Sequence, residues 1–156
     1  MEAVLTSAVA VVGILLGGCF SYLVQHRMTI RNERFARWRF VQQERMAAYS
    51  AYAAALAHCR RGELDRWHRA HENPGSAEAT EARVESYRLR SVARQELFRL
   101  RLVAQSPGLV RLAEEALDRV SVIHKAEDEQ ECHRSGDAAR EAVEAFVQAA
   151  GQQIVS

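Results

Sequence analysis

The side chains able to do chemistry in this chain gather at three places. His124, Glu127, Asp128, Glu131, Cys132 and His133 share one short stretch, His68, His71 and Glu72 form a second group, and His58-Cys59 is an isolated pair. Donors of this kind hold a metal when facing helices bring them together. Di-metal carboxylate bundles do so with Glu-x-x-His on two helices and a Glu on each of two others. Here the orders are His124-x-x-Glu127 and His68-x-x-His71, which is not that motif. Both groups also fall at helix ends or beside breaks, where polar residues face water. His58-Cys59 meets Cys132-His133 only if the first and third helices terminate at the same end of a bundle. Small buried cysteines ordinarily fill apolar space. No serine sits in a Gly-x-Ser-x-Gly elbow, and no phosphate loop or dinucleotide glycine fingerprint is present. The reading is therefore of a protein without catalytic residues, metal ligands or cofactor. A metal-binding or enzymatic bundle using His124, Glu127, Glu131 and the His58/Cys59 pair is the alternative.

The elements that must carry these residues are helices, preceded by one unusual segment. From Ala3 to Val24 the chain holds no charged residue. At about 1.5 Å per residue such a helix matches a hydrocarbon core of about 30 Å. Residues 1–24 are read as a transmembrane anchor. Arg27, Arg31, Arg34, Arg37 and Arg39 follow it closely, and only Glu2 and the amino terminus precede it. The positive-inside rule then puts the N-terminus outside and residues 25–156 in the cytoplasm. Cleavage as a secretory signal would need the opposite charge arrangement. Leu16-Gly17-Gly18-Cys19 resembles the lipobox of bacterial lipoproteins, and an exported protein lipidated at Cys19 is a further alternative. That pattern calls for a basic stretch ahead of the apolar run, which this chain lacks.

Small residues recur at three- and four-residue spacing along the anchor. Gly13, Gly17 and Ser21 form the stripe that lets two membrane helices approach closely, so a homodimer through the anchor is expected. Beyond it, residues 25–61 carry eight Arg against two Glu, whereas residues 106–156 carry five basic against ten acidic residues. Such an Arg stretch with Phe35, Trp38 and Phe40 can also pair with nucleic acid. Its place at the exit from the bilayer is already explained by attraction to anionic headgroups, about 1 kcal/mol per residue. Headgroup contact is therefore assigned to Arg27, Arg31, Arg34, Arg37, Arg39 and Trp38, and no nucleic-acid partner is expected. Three widely spaced cysteines without CxxC spacing fit a reducing compartment. Arginine supplies every basic side chain except Lys125, usage expected of a G+C-rich bacterial genome.

Periodicity predicts an all-α bundle of about four helices. The first has Phe35, Trp38, Val41, the stem of Arg45, Ala48, Tyr49, Tyr52 and Leu56 on its buried side, weakens at Gly62 and ends at Asn73-Pro74-Gly75-Ser76. Ser76 caps a second helix reaching about Gln105, with Val84, Tyr87, Ser91, Phe98 and Leu102 on one side and Leu89, Val92 and Val103 widening the stripe. Ser106-Pro107 starts a third, in which Leu109, Leu112, Ala113, Ala116, Leu117, Val120, Ile123 and His124 give the cleanest stripe. A break at His133-Arg134-Ser135-Gly136 precedes a fourth, with Ala139, Ala142, Val143, Phe146, Val147, Ala150 and Ile154 inward. Short loops make the bundle antiparallel.

The run from Arg31 to Tyr49, RNERFARWRFVQQERMAAY, resembles a pattern of uncharacterised actinobacterial single-pass membrane proteins. In these an anchor and an Arg/Trp-rich juxtamembrane segment lead into a helical cytoplasmic domain. The resemblance implies this architecture and no catalytic residues. The chain is also superficially similar to the b subunits of ATP synthases, from which the breaks at Gly62, Pro74, Pro107 and Gly136 set it apart. The function expected is that of a membrane-tethered interaction or scaffold module with an unknown protein partner.

Overall fold

In the computed structural model the backbone is described over residues 2–155 and the side chains over residues 37–154. Four α-helices follow in order, α1 (Glu2–Glu72), α2 (Ala77–Val103), α3 (Pro107–Ser121) and α4 (Glu129–Val155), with a short 3-10 turn over Ile123–Lys125. No strand occurs among the described residues. The chain divides into two compact units, Met1–Val41 and Gln42–Ser156. In the first, Arg37, Trp38, Arg39, Phe40 and Val41 are exposed. Trp38 and Val41 therefore depart from the buried side expected of them. Gly13, Gly17, Ser21, Arg27, Arg31 and Arg34 lie outside the described side chains, as does the apolar run from Ala3 to Val24. Among the described residues no helix is long and apolar enough to cross a membrane.

The second unit is an antiparallel bundle whose turns are set by local chemistry. Gly75 adopts a positive φ of 81°, the left-handed conformation that favours glycine. Ser76 then caps α2, its side chain accepting the N–H of Ala79 at 3.1 Å. Ser106 caps α3 by accepting the N–H of Leu109 at 3.4 Å, and Pro107 takes the first helical position. Asp128 accepts the N–H of Glu131, and the Glu131 carboxylate reaches back to the N–H of Glu127, both at 2.7 Å. This variant of the capping box begins α4 at Glu129, so the expected break at Gly136 is absent. Gly136 is instead a helical position that Leu64 approaches to 3.5 Å from where a Cβ would stand, and its carbonyl accepts from Arg60 Nε at 2.9 Å. Gly62 likewise interrupts nothing, because α1 continues to Glu72.

The core is built from Tyr52, Leu56 and Cys59 of α1, Leu97 and Leu100 of α2, the α3 stripe, Ile123, and Ala139, Phe146 and Ala150 of α4. Removing each large side chain from water contributes roughly 1.5–3 kcal/mol. Tyr52 meets the Phe146 ring edge-on at 5.3 Å and donates its hydroxyl to Ala113 O at 2.7 Å, so one side chain joins α1, α3 and α4. Trp67 Nε1 donates to Ala126 O at 2.8 Å and closes the other end. Among the described residues α2 and α4 do not touch, and they occupy opposite corners.

Candidate interaction surface

Where the titratable groups converge, they do so around a residue that no motif marked. Glu63 is fully buried in α1, next to Gly62, where α2 comes close enough that a Cβ on residue 62 would lie 2.6 Å from Leu89 Cδ1. Arg90 of α2 donates to Glu63 Oε1 through Nη2 at 2.5 Å and Nε at 3.1 Å, and reaches Ser121 O at 3.3 Å. His124 Nδ1 lies 2.9 Å from Glu63 Oε2, close in distance but not aligned as a hydrogen bond. Arg66 Nη1 stands 4.0 Å from the same oxygen and 3.5 Å from Ser86 Oγ. Burial, and then Arg66, hold the His124 pKa below its ordinary value, with Glu63 acting in the opposite direction. The neutral imidazole follows. Burial, and then Glu63, push the Cys59 thiol up to about 11, which makes it an unreactive thiol. A carboxylate so enclosed joins α1, α2 and the 3-10 turn.

The other groups expected to be chemical have structural partners as well. Glu127, Asp128 and Glu131 form the α4 cap rather than joining His124. His71 stacks on Trp67 at 4.0 Å and its Nδ1 lies 2.8 Å from Trp67 O. His58 and His133 are exposed while Cys59 and Cys132 are buried, so the two His-Cys pairs split between surface and core. Among the described residues no group of three or more His, Cys, Asp or Glu is placed to hold a metal.

The unusual feature lies on the outside. Helix α2 has two apolar faces, and of the side chains expected inward only Leu89 and Val103 pack against the core while Ser91 and Val92 are exposed. Ala82, Ser86, Ala93, Leu97 and Leu100 face the core. Val84, Tyr87, Phe98 and Leu102 face outward, with Leu102 86% exposed and Val84 60%. Ser86 and the alanines let α1 and α3 approach α2 closely, and larger side chains there would hold the helices apart. The bulky stripe is therefore left on the solvent side. Arginines edge it: Arg83, Arg88, Arg94, Arg99 and Arg101 are all exposed. The guanidinium groups of Arg66 and Arg90 lie over the Tyr87 ring at 5.0 and 5.7 Å, and that of Arg101 over Phe98 at 5.7 Å. An apolar strip rimmed by polar groups is what interaction sites on soluble domains look like. Its residues were legible in the sequence, but they read as core.

A family model described as KilB plasmid transfer protein matches residues 46–154, most of the chain and almost all of the second unit. The resemblance of the juxtamembrane run to actinobacterial membrane proteins gains no support from it. No curated protein and no solved structure matches the chain.

Proposed function

The chain belongs to the KilB plasmid transfer protein family, and from that premise we propose that it is a non-catalytic, membrane-tethered helical module serving plasmid transfer. The observation that carries the reading is the outward face of α2. Large apolar side chains edged by five exposed arginines have no use in a bundle that acts alone.

The tether in this reading is the uncharged run from Ala3 to Val24, with self-association aided by Gly13, Gly17 and Ser21. Arg27, Arg31, Arg34, Arg37, Arg39 and Trp38 lie along the headgroups on the cytoplasmic side, where the bundle and the C-terminus reside. The α2 face is then turned toward a protein at the same membrane. The test is a fusion of alkaline phosphatase or green fluorescent protein to Ser156 in bacterial cells. A fluorescent, phosphatase-inactive, membrane-bound product supports the reading. An active phosphatase fusion reverses the orientation, revives lipidation at Cys19 and moves the bundle outside the cell.

A further inference from the structure

Two faces on opposite sides of the bundle complement one another. On α2, Val84, Tyr87, Phe98 and Leu102 are edged by arginines, of which Arg88, Arg99 and Arg101 pair with Glu85, Glu44 and Glu114 of the same chain. Arg83 and Arg94 make no ion pair among the described residues. On α4 the side turned away from the core carries Asp137, Glu141, Glu144 and Gln148 at three- and four-residue spacing, all exposed. Asp137 is 3.8 Å from Arg140, while Glu141 and Glu144 make no ion pair among the described residues. Ala145 and Val147, the latter 47% exposed, stand beside them. Because α2 and α4 occupy opposite corners, no single chain can bring these faces together.

Their heights along the bundle agree. On α1, Glu63 meets Arg90 and Arg45 meets Val103, which fixes how α2 runs. Arg60 meets Gly136 and Tyr52 meets Phe146, which fixes α4 in the same way. Interpolating between these contacts brings Arg94 level with the Asp137–Glu141 turn and Phe98 level with Ala145–Gln148. Both helices run antiparallel to α1 and hence parallel to each other. A neighbouring copy set beside the first in the same orientation therefore places an arginine against a carboxylate and Phe98 at the height of Ala145, which flanks the acidic stripe.

We infer that the α2 face of one copy docks on the α4 face of the next, building a head-to-tail row or arc of bundles. The contact is heterologous, so it repeats from copy to copy, as a straight row while the copies keep one orientation and as an arc where each is turned slightly about the bundle's long axis. Two other self-contacts fit less well. Parallel pairing of two α2 faces sets Arg94 on Arg94. Antiparallel pairing turns the Gln42 ends of the two bundles in opposite directions, away from a shared membrane. In the repeating contact every Gln42 end points the same way. The inference rests on the interaction-module reading and names its partner as a second copy of this chain.

The experiment is disulfide trapping in the full chain, in native membranes, on a Cys19→Ala background. Cys59 and Cys132 are buried and do not compete. The double variant Arg94→Cys, Glu141→Cys oxidised with copper phenanthroline yields a ladder of dimers, trimers and higher species, and each single variant stays monomeric. A dimer from Arg94→Cys alone signals an α2 to α2 contact and overturns the inference. No ladder from the double variant also overturns it and leaves the α2 face to another protein or to anionic lipid. Because sedimentation with membranes is read separately, loss of the ladder is distinguishable from failure of the tether. A second measurement guards against misplaced thiols. Arg94→Glu loses the assembled species on native gels, and Arg94→Glu with Glu141→Arg regains them. Failure of the swap to restore assembly contradicts the proposed pairing.

Discussion

Replacing Glu63 by glutamine removes the one anion from a cluster that holds Arg90, His124 and Arg66. The shape is kept, so the change reads charge and hydrogen bonding alone. Taking one partner from a buried ion pair costs about 3–5 kcal/mol, because the other charge stays buried without compensation. Here Arg90 and His124 keep 19% and 15% of their side-chain exposure, so water recovers part of the loss. A destabilisation of about 2–3 kcal/mol is expected. At roughly 3–4 °C per kcal/mol, the melting temperature falls by about 6–12 °C. The assay is thermal unfolding of the full chain in detergent, followed by Trp67 fluorescence in a Trp38→Phe background. Glu115→Gln is the control, since it breaks a pair that is half exposed on both sides and is worth only a few tenths of a kcal/mol. Equal melting temperatures for the Glu63 and Glu115 variants would refute the pinning role.

Three further outcomes follow from the same contacts. The folded-state pKa of His124 is lowered, so the unfolded chain binds its proton first. Stability is then fully present above the ordinary value of 6.5 and declines as pH falls from there toward the folded value; a His124→Gln variant melted at pH 7.5 and 5.5 should lose part of this dependence. Cys59 should resist iodoacetamide at pH 8 in the folded protein and react once urea unfolds the bundle, as peptide mass mapping would show. Gly62→Ala should be near neutral, since only the Leu89 terminal methyl must move and helix propensity gains about 1 kcal/mol. Gly62→Val adds γ atoms near Ser86 Cα and should destabilise by about 1–3 kcal/mol in the same melt.

How much of this was legible in the sequence differs from helix to helix. Helix α3 was readable because a single apolar stripe faces a single core, and Leu109, Ala113, Ala116, Leu117 and Val120 are all buried. Its serine and proline start is local chemistry that tertiary packing does not override. Helix α2 misled because it carries two stripes. Periodicity weights Val, Tyr, Phe and Leu above Ala and Ser, yet close helix packing places the small residues Ala82, Ser86 and Ala93 inside. Gly136 looked like a break, but a glycine within a helix also allows close approach, and Arg60 and Leu64 of α1 use it for that. Glu63 carried little signal, because Arg90 and His124, which enclose it along with the nearby Arg66, are 27 and 61 residues away. The outward α2 face was present in the sequence, and only the fold reveals that Val84, Tyr87, Phe98 and Leu102 stay exposed.

Carbonate extraction with flotation shows whether the bundle is held at a membrane by the run from Ala3 to Val24. Bacteria expressing the full chain, or a version begun at Met28, would be lysed and their membranes washed at alkaline pH and floated. With a membrane tether, the full chain floats with the membranes after the wash and the Met28 version remains in the soluble fraction. Release of the full chain by the wash, or flotation of both versions alike, would contradict it.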